Sequence, residues 1–247
     1  MKKLFTFSLL AFTTLAYSQD VKLKNFDWTV TDIKSRGLNS KSLFDKLDRK
    51  FINLKSSICS NRAHMWAYDL EGKHNIDTAK IFLFYTKESG VNETSLRGWW
   101  YHVAPVVSDK GVLTVLDGGF PGFIKSPLTT NEWMEKFSRH PRCKEIQPHE
   151  TELIERMFVG ALYPDVTPYG VHKCYYMITP SPYWTPATIA TEILGRDENG
   201  RPARIDRTEI NLGELEFACM EATTTKLGRI FGGISAKEKC EEFISKY

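Results

Sequence analysis

The sequence predicts an α+β fold in which a helix packs on an antiparallel sheet, because helical and β patterns occupy separate parts of the chain. Apolar side chains recur at helical spacing over residues 40–54, and a second helical stretch follows over residues 58–70. Farther along, residues 99–107 and 112–117 are rich in β-forming side chains and flank the turn sequence Ser108-Asp109-Lys110-Gly111. Two such runs around a glycine-containing turn predict a β-hairpin.

The second helix is predicted to have Ser56 or Ser57 as its N-cap and to end at Gly72. Cys59 falls in the first turn of this helix. A helix N-terminus carries a partial positive charge and N–H groups without helical partners, which favour a thiolate and suit an oxyanion. Cys59 is therefore a candidate nucleophile, although a buried and unreactive thiol also fits this position.

The chain opens with the three parts of a secretory signal peptide. Lys2 and Lys3 form a positive start, residues 4–15 are apolar, and Ala16-Tyr17-Ser18 fits a small-x-small cleavage site. No later apolar run approaches the roughly 18 residues that a membrane-spanning helix needs. We therefore expect a secreted or periplasmic protein that does not bind a membrane.

Composition narrows the class of protein further. Hydrophobic residues make up 42% of the chain and aromatic residues 13%, which is enough for a substantial core and excludes disorder. The net charge of +3, with scattered basic residues, does not predict nucleic-acid binding. There is no glycine-rich phosphate loop, and the six histidines lack metal-ligand spacing. We expect neither a cofactor nor a metal, and we expect a monomer.

The chain has five cysteines, an odd number, and export predicts an oxidising compartment. Cys143, Cys174, Cys219 and Cys240 lie in the second half and can pair in three ways. Proximity in the sequence favours a Cys143–Cys174 and a Cys219–Cys240 disulfide. Cys59 would then remain a free thiol.

The hairpin supplies candidate partners for Cys59. If its loop is either residues 108–111 or only Asp109-Lys110, Val107 lies opposite Val112 and His102 lies opposite Asp117. Opposed residues share a face of the sheet at about 5 Å between Cβ atoms, whereas a three-residue loop would turn Asp117 to the other face. Cysteine, histidine and aspartate in this order are the groups of cysteine-dependent acyl transfer.

These residues carry a resemblance to the bacterial protein-glutaminases, secreted enzymes that hydrolyse the side-chain amide of glutamine within proteins. The family's Cys-x-x-Arg-Ala-His motif matches residues 59–64, and its Trp-x-Tyr-His-Val-Ala motif matches residues 99–104. Its aspartate after the histidine strand falls on Asp117, followed here by Gly118-Gly119 where the family tends to have proline. The resemblance extends over residues 40–190, and only the first two motifs are specific.

The resemblance implies a papain- and transglutaminase-like fold with Cys59, His102 and Asp117 as catalytic residues. It also implies a hydrolase of linear amides, which converts protein-bound glutamine to glutamate and ammonia through a thioester on Cys59. Its partners would be proteins or peptides with exposed glutamine. We expect three neighbouring aromatic residues to bind the substrate: Trp99, Trp100 and Tyr101.

Three other functions remain open at this point. A transglutaminase or a cysteine peptidase would use the same three residues, and a secreted binding domain could keep the fold without catalysis. Of the remaining motif residues, we expect Arg62 to pair with a carboxylate and His64 to be structural. The predicted organisation is a signal peptide (residues 1–18), an N-terminal leader segment (residues 19–39) and a single catalytic domain (residues 40–247).

Overall fold

The computed structural model describes residues 19–49, 58–85, 100–138, 143–158, 174–203, 208–223 and 233–247. The predicted signal peptide lies outside these ranges. Within them, none of the helices combines the length and the apolar character needed to cross a membrane.

A mixed sheet of six strands forms the centre of the described structure, in the order β6-β5-β4-β3-β8-β7. All neighbouring strands are antiparallel except β7 and β8, which are parallel. The six strands are β3 (Ala79–Tyr85), β4 (Tyr101–Asp109), β5 (Val112–Val115), β6 (Leu128–Thr129), β7 (Lys144–Glu145) and β8 (Cys174–Pro180). A separate two-stranded sheet pairs β1 (Val21–Lys22) with β2 (Thr29–Val30). With the helices around it, this sheet confirms the predicted α+β class.

Helices surround the sheet. After a 3-10 helix (Ile33–Arg36) they are α1 (Ser40–Lys46), α2 (Cys59–His74), α3 (Thr130–Phe137), α4 (Thr151–Arg156), α5 (Pro186–Leu194), α6 (Leu212–Thr223) and α7 (Gly233–Ile244). The helix predicted over residues 40–54 is too long, because Leu47 leaves the helical region with ψ 128°. Residues 50–57 lie outside the described structure.

The predicted end of α2 at Gly72 is wrong. The helix continues to His74 and ends where Asn75 takes the left-handed conformation, with φ 50°. Gly72 serves close packing instead, since a Cβ there would lie within 3 Å of three atoms of the Tyr247 side chain. Glycine at this position therefore lets Tyr247 pack against the last turn of α2.

The sheet buries both of its faces. Successive residues of β3 point to opposite sides, so that Ile81 and Leu83 belong to one core and Phe82 and Phe84 to the other. Helix α2 contributes to both cores, its first turns to the core of Phe82 and its later turns to the core of Leu83. The start of α2 thus belongs to the core of Phe82 and lies beside β4.

The β4–β5 hairpin has a two-residue loop at a different place from the predicted one. Lys110 and Gly111 form it, both with positive φ (58° and 76°), as a two-residue hairpin turn requires. Val107 lies opposite Thr114 rather than opposite Val112, so the predicted pairing is wrong by two residues. Gly111, which adopts a positive φ without a steric cost, favours this position of the loop.

An error of two residues preserves the face on which a side chain lies, because side chains alternate with a period of two. His102 and Asp117 are therefore not directly opposed, but they stay on the same side of the hairpin. Regular pairing ends at Val115, and one further hydrogen bond from Leu116 N to the Pro105 carbonyl continues it. Asp117 follows at the point where the chain leaves the sheet.

The leader segment packs on the domain through Val30 and Ile33, both fully buried. Asp32, also fully buried, accepts hydrogen bonds from Lys34 N (2.9 Å), Lys110 N (3.3 Å) and Gly111 N (2.7 Å). One carboxylate thus caps the 3-10 helix and holds the hairpin loop. The domain boundary at residue 40 stays a prediction.

Replacing Asp32 with alanine is expected to lower the free energy of unfolding by about 3 kcal/mol, because three backbone N–H groups lose a charged acceptor. Urea denaturation measures this change. Asp27→Ala is the matched control, since Asp27 is 97% exposed and pairs only at the surface with Lys22. Equal stability losses in the two variants would contradict the role of Asp32 as a link between leader and hairpin.

Both predicted disulfides are present. Cys143 is bonded to Cys174, the first residue of β8, and Cys219 in α6 is bonded to Cys240 in α7. Cys59 is a free, buried thiol. The pairing that followed from proximity in the sequence is therefore confirmed.

Candidate active site

Cys59 is the first residue of α2, which starts later than predicted. Its N-cap is Ile58, whose aliphatic side chain makes no capping hydrogen bond. Ser56 and Ser57, the predicted caps, lie outside the described residues. Since the first N–H groups of a helix have no partner within the helix, the start of α2 presents hydrogen-bond donors beside the Cys59 sulfur.

The start of α2 lies along β4. Cys59 Sγ is 4.0 Å from the carbonyl oxygen of Tyr101, and the Tyr101 hydroxyl donates a hydrogen bond to Ser60 Oγ at 3.1 Å. These contacts fix the first turn of the helix to the first residue of the strand. His102, the next residue of β4, therefore lies close enough to Cys59 for the two side chains to interact electrostatically.

The structure brings Cys59, His102 and Asp117 together. His102 Nε2 lies 2.7 Å from Asp117 Oδ2, and both side chains are almost completely buried. With Nε2 directed at the carboxylate, Nδ1 is the ring nitrogen that would act on Cys59. The order thiol, imidazole and carboxylate is the geometry needed to activate a nucleophile.

Trp133 is a residue of this site that the sequence patterns did not predict. Its indole N–H donates to Asp117 Oδ2 at 2.9 Å, and its ring stacks on the His102 imidazole with centroids 5.3 Å apart. Gly119 N donates to the other carboxylate oxygen, Oδ1, at 3.0 Å. Both oxygens of Asp117 are therefore held in fixed directions, and Trp133 holds both partners of the imidazole–carboxylate pair.

Aromatic side chains enclose the rest of the His102 ring. Phe137 lies 4.6 Å away between ring centroids, and Phe120 meets the ring edge-on at 5.2 Å. Together with Trp133, these rings leave the imidazole little freedom to rotate. They also exclude water from its bond with Asp117, which strengthens that bond electrostatically.

The charged state of this pair follows from its surroundings. Burial alone would lower the pKa of His102, but the charge and hydrogen bonds of Asp117 and Cys59 raise it to about 9. Burial would raise the pKa of Asp117, yet hydrogen bonds from His102, Trp133 and Gly119 and the charge of His102 hold it below its ordinary value. At neutral pH the pair is thus imidazolium and carboxylate.

Arg62 adds a second positive charge to the site. Its side chain is only 3% exposed, and its guanidinium carbon lies 5.9 Å from the centroid of the Phe120 ring. Burial lowers the pKa of Arg62, while the charges of Cys59 and Asp117 oppose that shift. The Arg62 guanidinium thus lies in the electrostatic field of both Asp117 and Cys59, and its predicted pairing with a carboxylate stays a prediction.

The three aromatic residues predicted to bind substrate are only partly described, because Trp99 lies outside the described residues. Trp100 and Tyr101 are half-buried and lie with ring centroids 4.5 Å apart. Burial raises the pKa of Tyr101, so its hydroxyl stays protonated and continues to donate to Ser60. Tyr101 is therefore a fixed wall beside the start of α2. Substrate binding by these residues stays a prediction.

His64 lies on a different side of α2 from Cys59 and is fully buried. Its Nδ1 is 2.5 Å from Nζ of the buried Lys80, which also donates to the Tyr183 carbonyl at 2.9 Å. The contact braces α2 against β3 and fits the structural role predicted for His64. Across the part of the chain that the structure describes, no group of three metal-binding side chains occurs.

Comparisons with known proteins found a similar family model and a similar solved structure. A family model described as glutaminase matches residues 39–137, a segment that contains Cys59, His102 and Asp117. The resemblance predicted from the sequence motifs is thereby confirmed as a similarity to this glutaminase family over that segment. The NMR structure of protein-glutaminase from Chryseobacterium proteolyticum is similar with a TM-score of 0.39 and 14% identity, covering 77% of this chain and 85% of that one. No curated protein sequence matches the chain.

Proposed function

From this resemblance and from the geometry of the site, we propose that the chain is a secreted protein-glutamine deamidase. It hydrolyses the side-chain amide of protein-bound glutamine to glutamate and ammonia, with Cys59 as nucleophile, His102 as acid and base, and Asp117 as orienting carboxylate. The observation that carries the proposal is the hydrogen bond of 2.7 Å between His102 and Asp117, next to a thiol at a helix start. The two disulfides support an oxidising, extracytoplasmic location.

In the first half of the reaction, the Cys59 thiolate attacks the carbon of the glutamine side-chain amide. The C=O electron pair moves onto oxygen, and the N–H groups at the start of α2 are placed to stabilise the resulting oxyanion. The His102 imidazolium protonates the amide nitrogen, the C–N bond breaks, and ammonia leaves. The products are a thioester on Cys59 and a neutral imidazole.

In the second half, water resolves the thioester. The neutral His102 takes a proton from the attacking water, the C–S bond breaks, and the glutamate side chain leaves. The thiolate and the imidazolium are then restored. Throughout both halves, Asp117 and Trp133 hold the imidazole in one orientation, so that the same ring nitrogen acts as acid and then as base.

The surroundings of Cys59 favour a side-chain amide over a backbone amide. Trp100 and Tyr101 form an aromatic wall next to the start of α2, suited to the aliphatic part of a long side chain that reaches in from a protein surface. A backbone amide, with chain on both sides, needs a longer open groove. Asparagine is one methylene shorter, and free glutamine carries two charges beside its backbone carbons, so both should be poor substrates.

The direct test is incubation of the chain, freed of residues 1–18, with a casein-like protein. We expect release of ammonia and conversion of glutamine residues to glutamate by mass spectrometry, without cleavage of the substrate chain. Cys59→Ser is the matched control, since it replaces one atom of the proposed nucleophile. It should release no ammonia.

The products formed from the protein substrate distinguish the proposed deamidase from the other candidate functions. New peptide termini would support a cysteine peptidase, and cross-linked or amine-tagged substrate would support a transglutaminase. Either result would contradict hydrolysis of the side-chain amide as the reaction. An unchanged substrate would support a non-catalytic binding domain.

A further inference from the structure

We propose that Arg62 is a positioning residue that balances the charge of the buried Cys59–His102–Asp117 set and favours the thiolate form of Cys59. This inference rests on the proposed function for its consequence in catalysis. Its tests measure the thiol directly, so that they stand apart from any activity on glutamine.

The position of Arg62 follows from helix geometry and from one glycine. Arg62 is three residues after Cys59, which places the two side chains on the same side of α2. Its guanidinium lies against Gly119, with Nε and one terminal nitrogen 3.1 Å from the point that a Cβ there would occupy. Asp117 Oδ1 is 3.2 Å from the same point. The cation and the carboxylate are thus neighbours across a residue without a side chain.

The charges of Cys59, His102 and Asp117 explain why the site needs a further cation. A thiolate, an imidazolium and a carboxylate together carry one excess negative charge, and all three side chains are at most 5% exposed. An uncompensated charge in such a place is costly, and the usual response is protonation of one of the anions. Arginine stays protonated in proteins, so Arg62 makes the set neutral while both anions remain ionised.

Other charged groups near Arg62 do not replace it. Arg49 lies beyond Gly118, where its Nε is 3.0 Å from the point that a Cβ on Gly118 would occupy. Its guanidinium is over the Phe44 ring and donates to the Phe44 carbonyl, and the residue is half-buried. Arg49 is therefore less enclosed than Arg62.

The first test compares the iodoacetamide alkylation rate of Cys59 across pH in the wild type, Arg62→Met and Arg62→Lys. At pH 6 we expect Arg62→Met to react about tenfold more slowly, because a nearby cation shifts such an equilibrium by one or more pH units. Arg62→Lys keeps the charge and should retain most of the rate. A lowered melting temperature with an unchanged pH profile would overturn the proposal, since a purely structural role predicts that result.

The second test is a double-mutant cycle with Asp117→Asn. Arg62→Met leaves the set with an excess negative charge, Asp117→Asn leaves an excess positive charge, and the double variant is neutral again. We therefore expect Arg62→Met to slow alkylation much less in the Asp117→Asn background than in the wild type. Equal effects in the two backgrounds would contradict charge balance.

A third test, Gly119→Ala, disturbs the position of the Arg62 side chain without removing it. Gly119→Ala places a methyl group 3.1 Å from the guanidinium nitrogens and 3.2 Å from Asp117 Oδ1, so it should disturb the contact between the two groups and lower the alkylation rate at pH 6 in the same direction as Arg62→Met. Gly122→Ala is the matched control in the same loop, because a Cβ there meets no atom within 4 Å. An unchanged rate in Gly119→Ala would count against the position assigned to Arg62, even if Arg62→Met failed to fold.

Discussion

Asp117→Asn is expected to lower kcat for deamidation by about 10⁴-fold, the size of effect that follows when a triad carboxylate becomes an amide. Asp117 Oδ2 accepts hydrogen bonds from both His102 and Trp133, and Oδ1 accepts one from Gly119 N. An amide has only one oxygen, so its NH₂ group must face a donor in either orientation. The imidazole then loses either its partner or its fixed direction.

Asp109→Asn is the matched control for this variant. Asp109 also accepts hydrogen bonds through one carboxylate oxygen, from Ser40 N (3.1 Å) and Ser40 Oγ (2.7 Å), but at the far end of β4. We expect it to keep wild-type turnover. Circular dichroism should show both variants folded, with Asp117→Asn less stable by about 1–3 kcal/mol because one N–H group loses its acceptor. Wild-type turnover in folded Asp117→Asn would remove Asp117 from the mechanism.

The sequence correctly predicted that His102 and Asp117 lie on the same face of the hairpin, although the predicted register of the hairpin was wrong. The predicted loop placed the hairpin pairing two residues away from its position in the structure. Only a shift by an odd number of residues would have turned Asp117 to the opposite face. Alternation along a strand is thus a more robust guide to which side chains can meet than the register itself.

Trp133 shows what local patterns do not reveal. A capping box of Thr129 and Glu132 marks the start of α3 and is visible in the sequence as Thr-x-x-Glu. It indicates a helix, but not the side of the sheet on which the helix packs. The stacking of Trp133 on His102 depends on the path of the chain between β5 and α3, so it becomes visible only in three dimensions.

The ends of the helices were also poorly predicted. Leu47 continues the apolar pattern of α1 but ends the helix, because its ψ of 128° leaves the helical region while its side chain is buried. Gly72 has the sequence signature of a helix end but lies within α2, where Tyr247 occupies the space beside it. In both cases tertiary packing outweighs the local preference.

Raising the pH through about 9 is expected to abolish deamidation, because His102 loses the proton that it donates to the leaving ammonia. Burial opposes a charged His102, yet Asp117 and Cys59 raise its pKa to about 9, above the ordinary 6.5. The pH dependence of kcat/KM should therefore fall on its alkaline side near pH 9. His102→Ala should lack activity at every pH, and it should also lose the fast iodoacetamide reaction of Cys59 near pH 6.

The stability of the folded protein should also depend on protonation of His102. A pKa that is higher in the folded protein than in the unfolded chain contributes stability that is complete below pH 6.5 and is lost as the pH rises through about 9. Thermal unfolding from pH 6 to pH 10 should therefore show a larger loss for the wild type than for His102→Ala. His149→Ala, at an exposed histidine, is the matched control and should behave as the wild type. An alkaline limit of activity well below pH 8, or a wild-type loss of stability no larger than that of His102→Ala, would show that the His102–Asp117 pair does not hold this proton. That result would leave Cys59 without the acid that the departure of ammonia requires.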